Sequence, residues 1–168
     1  MAFIVESGVT VSFADYDDVE ARDQRLLESN ESLTDDVVEP LLERATERIL
    51  SKVRSSSWWY DYYNQQSGGG VTRAIETPAV DPDKIKGRQN DFTDLCVYTA
   101  FYEYIMPLVA DFGAEDSAER NKIDFYRNRA DALFAELVNA GDWYDFDDDG
   151  TVQSDEKEPG YINLKRVR

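Results

Sequence analysis

Apolar residues recur along much of this 168-residue chain in three- and four-residue steps, the period of an amphipathic helix. Val38, Leu41, Leu42, Ala45, Ile49 and Val53 form one stripe and predict a helix over 34–54. Ser32 and Thr34 are candidate N-caps, and Asp35 and Asp36 suit the positive end of the helix dipole. Pro40 falls in the opening turns, where a missing N–H is tolerated. Glu43, Arg44, Glu47 and Arg48 read as a solvated face. A second stripe, Ile123, Tyr126, Ala130, Leu133, Phe134, Leu137 and Val138, predicts a helix over 117–139, with Gly141 as its C-cap. Between them, 92–106 is apolar almost all round, which predicts a helix buried on every side, in a core or between subunits. A shorter helix over 16–28 has Val19, Leu26 and Leu27 as its contacts.

Elsewhere the period changes. Phe3-Ile4-Val5 and Val9-Thr10-Val11-Ser12-Phe13 are β-prone runs around Ser7-Gly8, so they form a hairpin or an extended arm. Residues 64–91 hold Gly68-Gly69-Gly70, Pro78 and Pro82 with little periodicity and predict a long loop. Just before it stands Trp58-Trp59-Tyr60-Asp61-Tyr62-Tyr63. Two readings are open for this cluster: packing at a helix end, or an interface anchored by Trp58, Trp59 and Tyr62. The last eight residues, from Tyr161 to Arg168, alternate and are basic; Tyr161, Leu164, Arg166 and Arg168 are candidate docking residues of an arm. The expected fold class is therefore mainly α. It is a small helical bundle (31–140) with an extended N-terminal segment (1–30), one long loop and a non-helical C-terminal arm (141–168).

The chemistry concentrates in Asp145-Phe-Asp-Asp-Asp-Gly-Thr-Val-Gln-Ser-Asp-Glu156, which has the spacing of an EF-hand calcium loop. Calcium is a hard cation that takes six to eight oxygens. Asp145, Asp147, Asp149, the Thr151 carbonyl and a bidentate Glu156 would supply most of them. Gly150 stands where such a loop turns sharply. Lys157-Glu158-Pro159-Gly160 follows Glu156 and stops any exit helix, and no second loop of this kind occurs. The bland alternative is an Asp-rich turn whose side chains cap their own backbone.

A formal net charge of −17 argues against direct nucleic-acid binding, because phosphates repel such a surface; it is compatible with DNA sliding past. The chain has no histidine, so Ser-His and Cys-His dyads are excluded. Cys96, the lone cysteine, reads as a small buried hydrophobe. There is no P-loop and no dinucleotide fingerprint, and no catalytic residue is assigned; the expectation is a non-enzyme. No apolar run approaches the roughly 20 residues of a membrane span, and no signal peptide precedes the first element, so a soluble protein made inside the cell is expected.

The order of these elements resembles that of small helical head–tail connector proteins of tailed bacteriophages, also called adaptor or head completion proteins. A helix of the Val37-Val38-Glu39-Pro40-Leu41-Leu42-Glu43-Arg44-Ala45 type precedes a long loop, then an apolar helix with Tyr98-Thr99-Ala100-Phe101-Tyr102. A charged helix around Tyr126-Arg127-Asn128-Arg129-Ala130 and an arm ending Leu164-Lys165-Arg166-Val167-Arg168 complete the set over residues 30–168. The resemblance implies a structural virion protein, made in the host cytoplasm and placed at the head–tail junction. It implies a homo-oligomeric, dodecameric ring that contacts the portal and the neck or tail completion proteins, with DNA passing through without specific binding. Calcium would then be a structural staple between the last helix and the arm. The competing expectation is a calcium-binding regulatory or scaffold protein.

Overall fold

The computed structural model describes residues 3–60, 77–110, 118–154 and 156. Within them the chain is mainly α-helical, as expected. An antiparallel hairpin, β1 (Ile4–Glu6) and β2 (Val9–Ser12), comes first; Ser7 and Gly8 at its tip both have positive φ. The hairpin is thus the outcome of the two open readings of this segment. α1 (Tyr16–Glu28) starts in a capping box: Asp18 N–H donates to Asp15 Oδ1 at 2.9 Å, and Asp15 N–H to Asp18 Oδ2 at 3.2 Å. α2 (Asp35–Arg54) carries the first stripe inward, burying Val38, Leu42, Ala45, Ile49 and Val53. A helical turn at 57–60 follows.

α3 (Gln89–Ala100) runs through a π-helical segment (Phe101–Ile105) into a short last helix, α4 (Met106–Val109). The widened turn lies just ahead of Pro107, which has no N–H to offer the Glu103 carbonyl and whose ring crowds it. α5 (Ala118–Ala140) ends at Gly141, whose φ of 61° and N–H to the Leu137 carbonyl (3.1 Å) form the left-handed cap.

The apolar α3 needs no second subunit to cover it. Phe92, Leu95, Cys96, Val97, Ala100 and Phe101 are buried by the chain itself, against α2 and α5. One hydrophobic core draws on the hairpin, the helices and the stretch after α5 together. Phe13 is fully buried and rings with Phe3 and Phe92 at 4.6 and 5.4 Å. Thr46 and Thr93 tie the same strand end: Phe13 N–H donates to Thr46 Oγ1 (3.1 Å), and Thr93 Oγ1 donates to the Phe13 carbonyl (2.7 Å).

The expected loop 64–91 needs a correction at its C-terminal end. Residues 64–76 lie outside the described residues, but 77–91 is a packed segment. Val80 and Ile85 are buried, Pro82–Lys84 is a 3-10 turn, Ile85 bridges Tyr144, and α3 already begins at Gln89. Gly87 explains the close fit: a Cβ there would stand 2.3 Å from the Asp142 carbonyl oxygen. Lys86 and Gly87 both donate their N–H groups to the Trp143 carbonyl, at 3.0 and 3.1 Å. Arg88 adopts left-handed φ (51°), and its guanidinium pairs with Asp91, Glu136 and Asp142.

Candidate metal-binding loop

The loop grows out of a wall of aromatic rings. Trp143 is fully buried and donates its indole N–H to the Leu137 carbonyl at 2.8 Å, fixing the exit from α5. Trp58 packs on Trp143 at 4.7 Å; Trp59 meets Tyr144 edge-on at 5.0 Å and stacks on Phe146 at 5.7 Å. Trp59 also donates its indole N–H to the Pro78 carbonyl (3.1 Å). Burial pushes the Tyr144 hydroxyl up to about 12, with the Asp81 N–H opposing the shift and the negative Asp81 adding to it. Trp58 and Trp59 are only 8 % and 3 % exposed. As interface anchors they are therefore corrected: both rings are spent inside this chain, as the root of the loop. Tyr62, Tyr161, Leu164, Arg166 and Arg168 lie outside the described residues.

From that root the carboxylates emerge. Asp145 is fully buried, and its backbone N–H donates to the Lys84 carbonyl at 2.9 Å. Its Oδ1 accepts from Asp148 N–H (2.7 Å) and its Oδ2 from Gly150 N–H (2.8 Å). Asp148 and Gly150 both sit at positive φ, so the chain folds over Asp145 in two left-handed steps. One oxygen from each of Asp145, Asp147 and Asp149 lies within 4.8 Å of the others. The three expected aspartates are thus brought together. Glu156 stays outside that group: it is buried, its Oε1 accepts from Phe146 and Asp147 N–H (2.6 and 3.1 Å), and its Oε2 from Gln153 N–H (2.7 Å). These bonds clip the two ends of the loop together. Thr151 gives its N–H and hydroxyl to Asp149 Oδ1, at 2.9 and 2.8 Å.

The electrostatics fit a cation. The Asp147 carboxyl is pushed up although its side chain reaches solvent: loss of water around it leads, and the charges of Asp149, Glu156 and Asp145 add to it against the Asp149 N–H. Asp149 is held down by the Thr151 hydroxyl and N–H and by the Gln153 amide. Among the described residues Lys84 is the cation that pairs with the loop: its Nζ stands 3.8 Å from Asp148 Oδ2 and 3.5 Å from the Phe146 carbonyl. A hard divalent ion would take carboxylate oxygens gathered this closely.

Three features were missed by sequence reasoning: Lys84, Ile85 and Gly87, which brace the loop from the segment read as loose. Their signal was faint, because a short 3-10 turn has no period. Cys96 is inert; burial pushes its thiol up to about 12, and Thr46 Oγ1 lies 3.4 Å from its sulfur. No helix of the described residues is long and apolar enough to cross a membrane. No family model, no curated protein and no solved structure matches the chain.

Proposed function

We propose that this is a structural assembly protein of the head–tail connector type: a ring-forming virion component that joins portal to neck or tail and extends the DNA channel. The observation that carries the reading is the succession of α2, the apolar α3 and the charged α5 in one small bundle, in a chain of formal net charge −17. An acidic wall suits passage of DNA without adhesion. No catalysis is assigned. The twelve-fold ring, the portal and tail partners and the position in the virion come from the resemblance alone. In this reading calcium at Asp145, Asp147 and Asp149 is a staple. It neutralises crowded carboxylates and fixes the direction in which the chain leaves Glu156 toward its basic end.

The test is quantitative mass spectrometry of purified particles from the source. A low, fixed copy number in step with the portal supports the connector; absence from particles overturns it. The aspartate triad also favours a second reading, a calcium-binding regulatory or scaffold protein. The two separate on adding calcium to the purified chain. A sensor exposes apolar surface and binds a hydrophobic dye, whereas a staple raises the melting temperature and leaves dye binding unchanged.

A further inference from the structure

α2 keeps its charges in separate rows. Its cations are engaged: Arg44 lies over the Tyr104 ring (4.8 Å), Arg48 pairs with Glu103 (3.3 Å), Lys52 with Asp131 (2.8 Å), and Arg54 donates to the Thr77 carbonyl (2.9 and 2.6 Å). Its acids are not. Asp36, Glu39, Glu43 and Glu47 follow one another at three- and four-residue steps and are exposed, and none has an ion-pair partner among the described residues. Neighbours at that spacing stand about 5–6 Å apart at Cβ, and like charges there weaken a helix.

Two of these acids face further carboxylates across a tertiary joint. A cleft of about 60 Å³ between the hairpin and α2 is lined by Ile4 and Val11, with Glu6 of β1, Asp15 at the start of α1, and Glu39 and Glu43 of α2. No lysine or arginine lines it. Carboxylates from three elements are thus packed around one joint without a cation. Among the described residues only the Asp145 loop gathers three carboxylate oxygens within 4.8 Å, so the acids of the cleft are too spread to chelate an ion and answer to ionic strength instead. Toward its tip the hairpin has little apolar burial to set against the repulsion. Val5 and Val9 are 56 % and 54 % exposed, whereas Phe13 at its base is fully buried.

We propose that the joint between the hairpin and α2 is sensitive to ionic strength and closes fully only in about molar monovalent salt. The Debye length sets the range. At about 0.15 M it is roughly 8 Å, longer than the roughly 5–6 Å between successive acids of α2, so the row and the cleft repel themselves. At about 1 M it is roughly 3 Å, and the same charges no longer reach one another. The formal net charge of −17 adds self-repulsion of the same kind over the whole chain. Below molar salt the hairpin opens from its exposed tip toward Phe13, while α3, buried in the core, stays closed. The charge pattern is that of a protein adapted to concentrated salt. This inference does not depend on the connector reading.

The experiment is amide hydrogen exchange of the full chain at about 0.15 M and about 2 M KCl, with a chelator present so that the acidic loop stays metal-free. The amides of 4–12 should exchange on the order of tenfold more slowly in the concentrated salt, and those of α3 should change less. Equal hairpin rates at the two concentrations would overturn the proposal. A change in α3 as large as that in the hairpin would make the effect global and overturn the joint as its seat. Glu39→Gln with Glu43→Gln should slow hairpin exchange at the lower concentration and leave little further gain at the higher. Glu20→Gln with Glu31→Gln removes the same charge from exposed positions outside the cleft, and it should keep the salt response of the wild type. Identical behaviour of the two variants would assign the response to net charge alone and overturn the joint.

Discussion

Residues 143–146 and 147–154 are adjacent in sequence and opposite in physics. The first group, Trp143, Tyr144, Asp145 and Phe146, is rooted in a wall of rings and in backbone bonds to the 84–87 segment. The second group is largely exposed and is held by carboxylates: Asp145 accepts from Asp148 and Gly150 N–H, Glu156 from Asp147 and Gln153 N–H, Asp147 from Asp149 N–H, and Asp149 from the N–H and hydroxyl of Thr151. The contrast shows how a lone acidic loop is rooted in a small protein. A paired hand braces its loop against a second loop; here Ile85 and Trp143 provide the brace. The like charges meet where the two groups join, Asp145 from the root and Asp147 and Asp149 from the tip. Perturbing the root should change stability with or without calcium, and perturbing the tip should change the response to calcium and the pH dependence of the metal-free protein.

The largest expected effect is at the root. Trp143→Ala empties the most voluminous buried side chain and leaves the Leu137 carbonyl without its indole donor. A loss of about 3–5 kcal/mol is expected by chemical denaturation, equal with and without calcium. Gly87→Ala comes next. Its Cβ would stand 2.3 Å from the Asp142 carbonyl, so the 87–88 and 142–143 backbones must part, at a cost of about 1–3 kcal/mol in the same assay. Asp145→Ala belongs to both regions. It orphans the N–H groups of Asp148 and Gly150, so it should destabilise the metal-free protein by about 1–3 kcal/mol and also remove the calcium response.

The smallest effects are in pH. Asp147 is raised above 3.8 in the folded state, so the fold binds its proton more tightly than the unfolded chain does. Stability of the metal-free protein should fall as pH rises from 3.8 through that raised value, and Asp147→Asn should remove this slope. Asp23 gives the opposite sign. Burial pushes its carboxyl up, but hydrogen bonds from Lys122 (2.5 Å) and Tyr126 (2.7 Å) outweigh that and hold it below 3.8. Its contribution is present above 3.8 and is lost as pH falls through the lowered value. Asp23→Asn should therefore flatten the acid limb of the stability curve, with no effect on calcium binding.

The helices were legible because α2 and α5 bury one stripe each, and a stripe is a pattern in sequence. The aspartate triad was legible for the same reason, since ligand spacing is local. The start of α3 at Gln89 was not legible, because Arg88 caps it in a left-handed conformation without a side-chain cap. The role of Trp58 and Trp59 was undecided in sequence, because burial and interface use the same residues; Trp143 and Phe146, some 85 positions away, decided it. Glu156 was read as a ligand, but its oxygens face backbone donors at both ends of the loop, a pairing that spacing alone does not reveal.

The separation of root from tip is tested most directly by titrating calcium into the full chain and into Asp147→Asn with Asp149→Asn, following heat of binding and melting temperature together. The wild-type chain should bind one ion. At a hundredfold excess over Kd it should gain about 2.7 kcal/mol, or roughly 5–11 °C, while the double variant binds none and keeps its own metal-free melting temperature when calcium is added. Calcium binding that survives in the double variant, or a wild-type melting temperature that calcium leaves unmoved, would contradict the account.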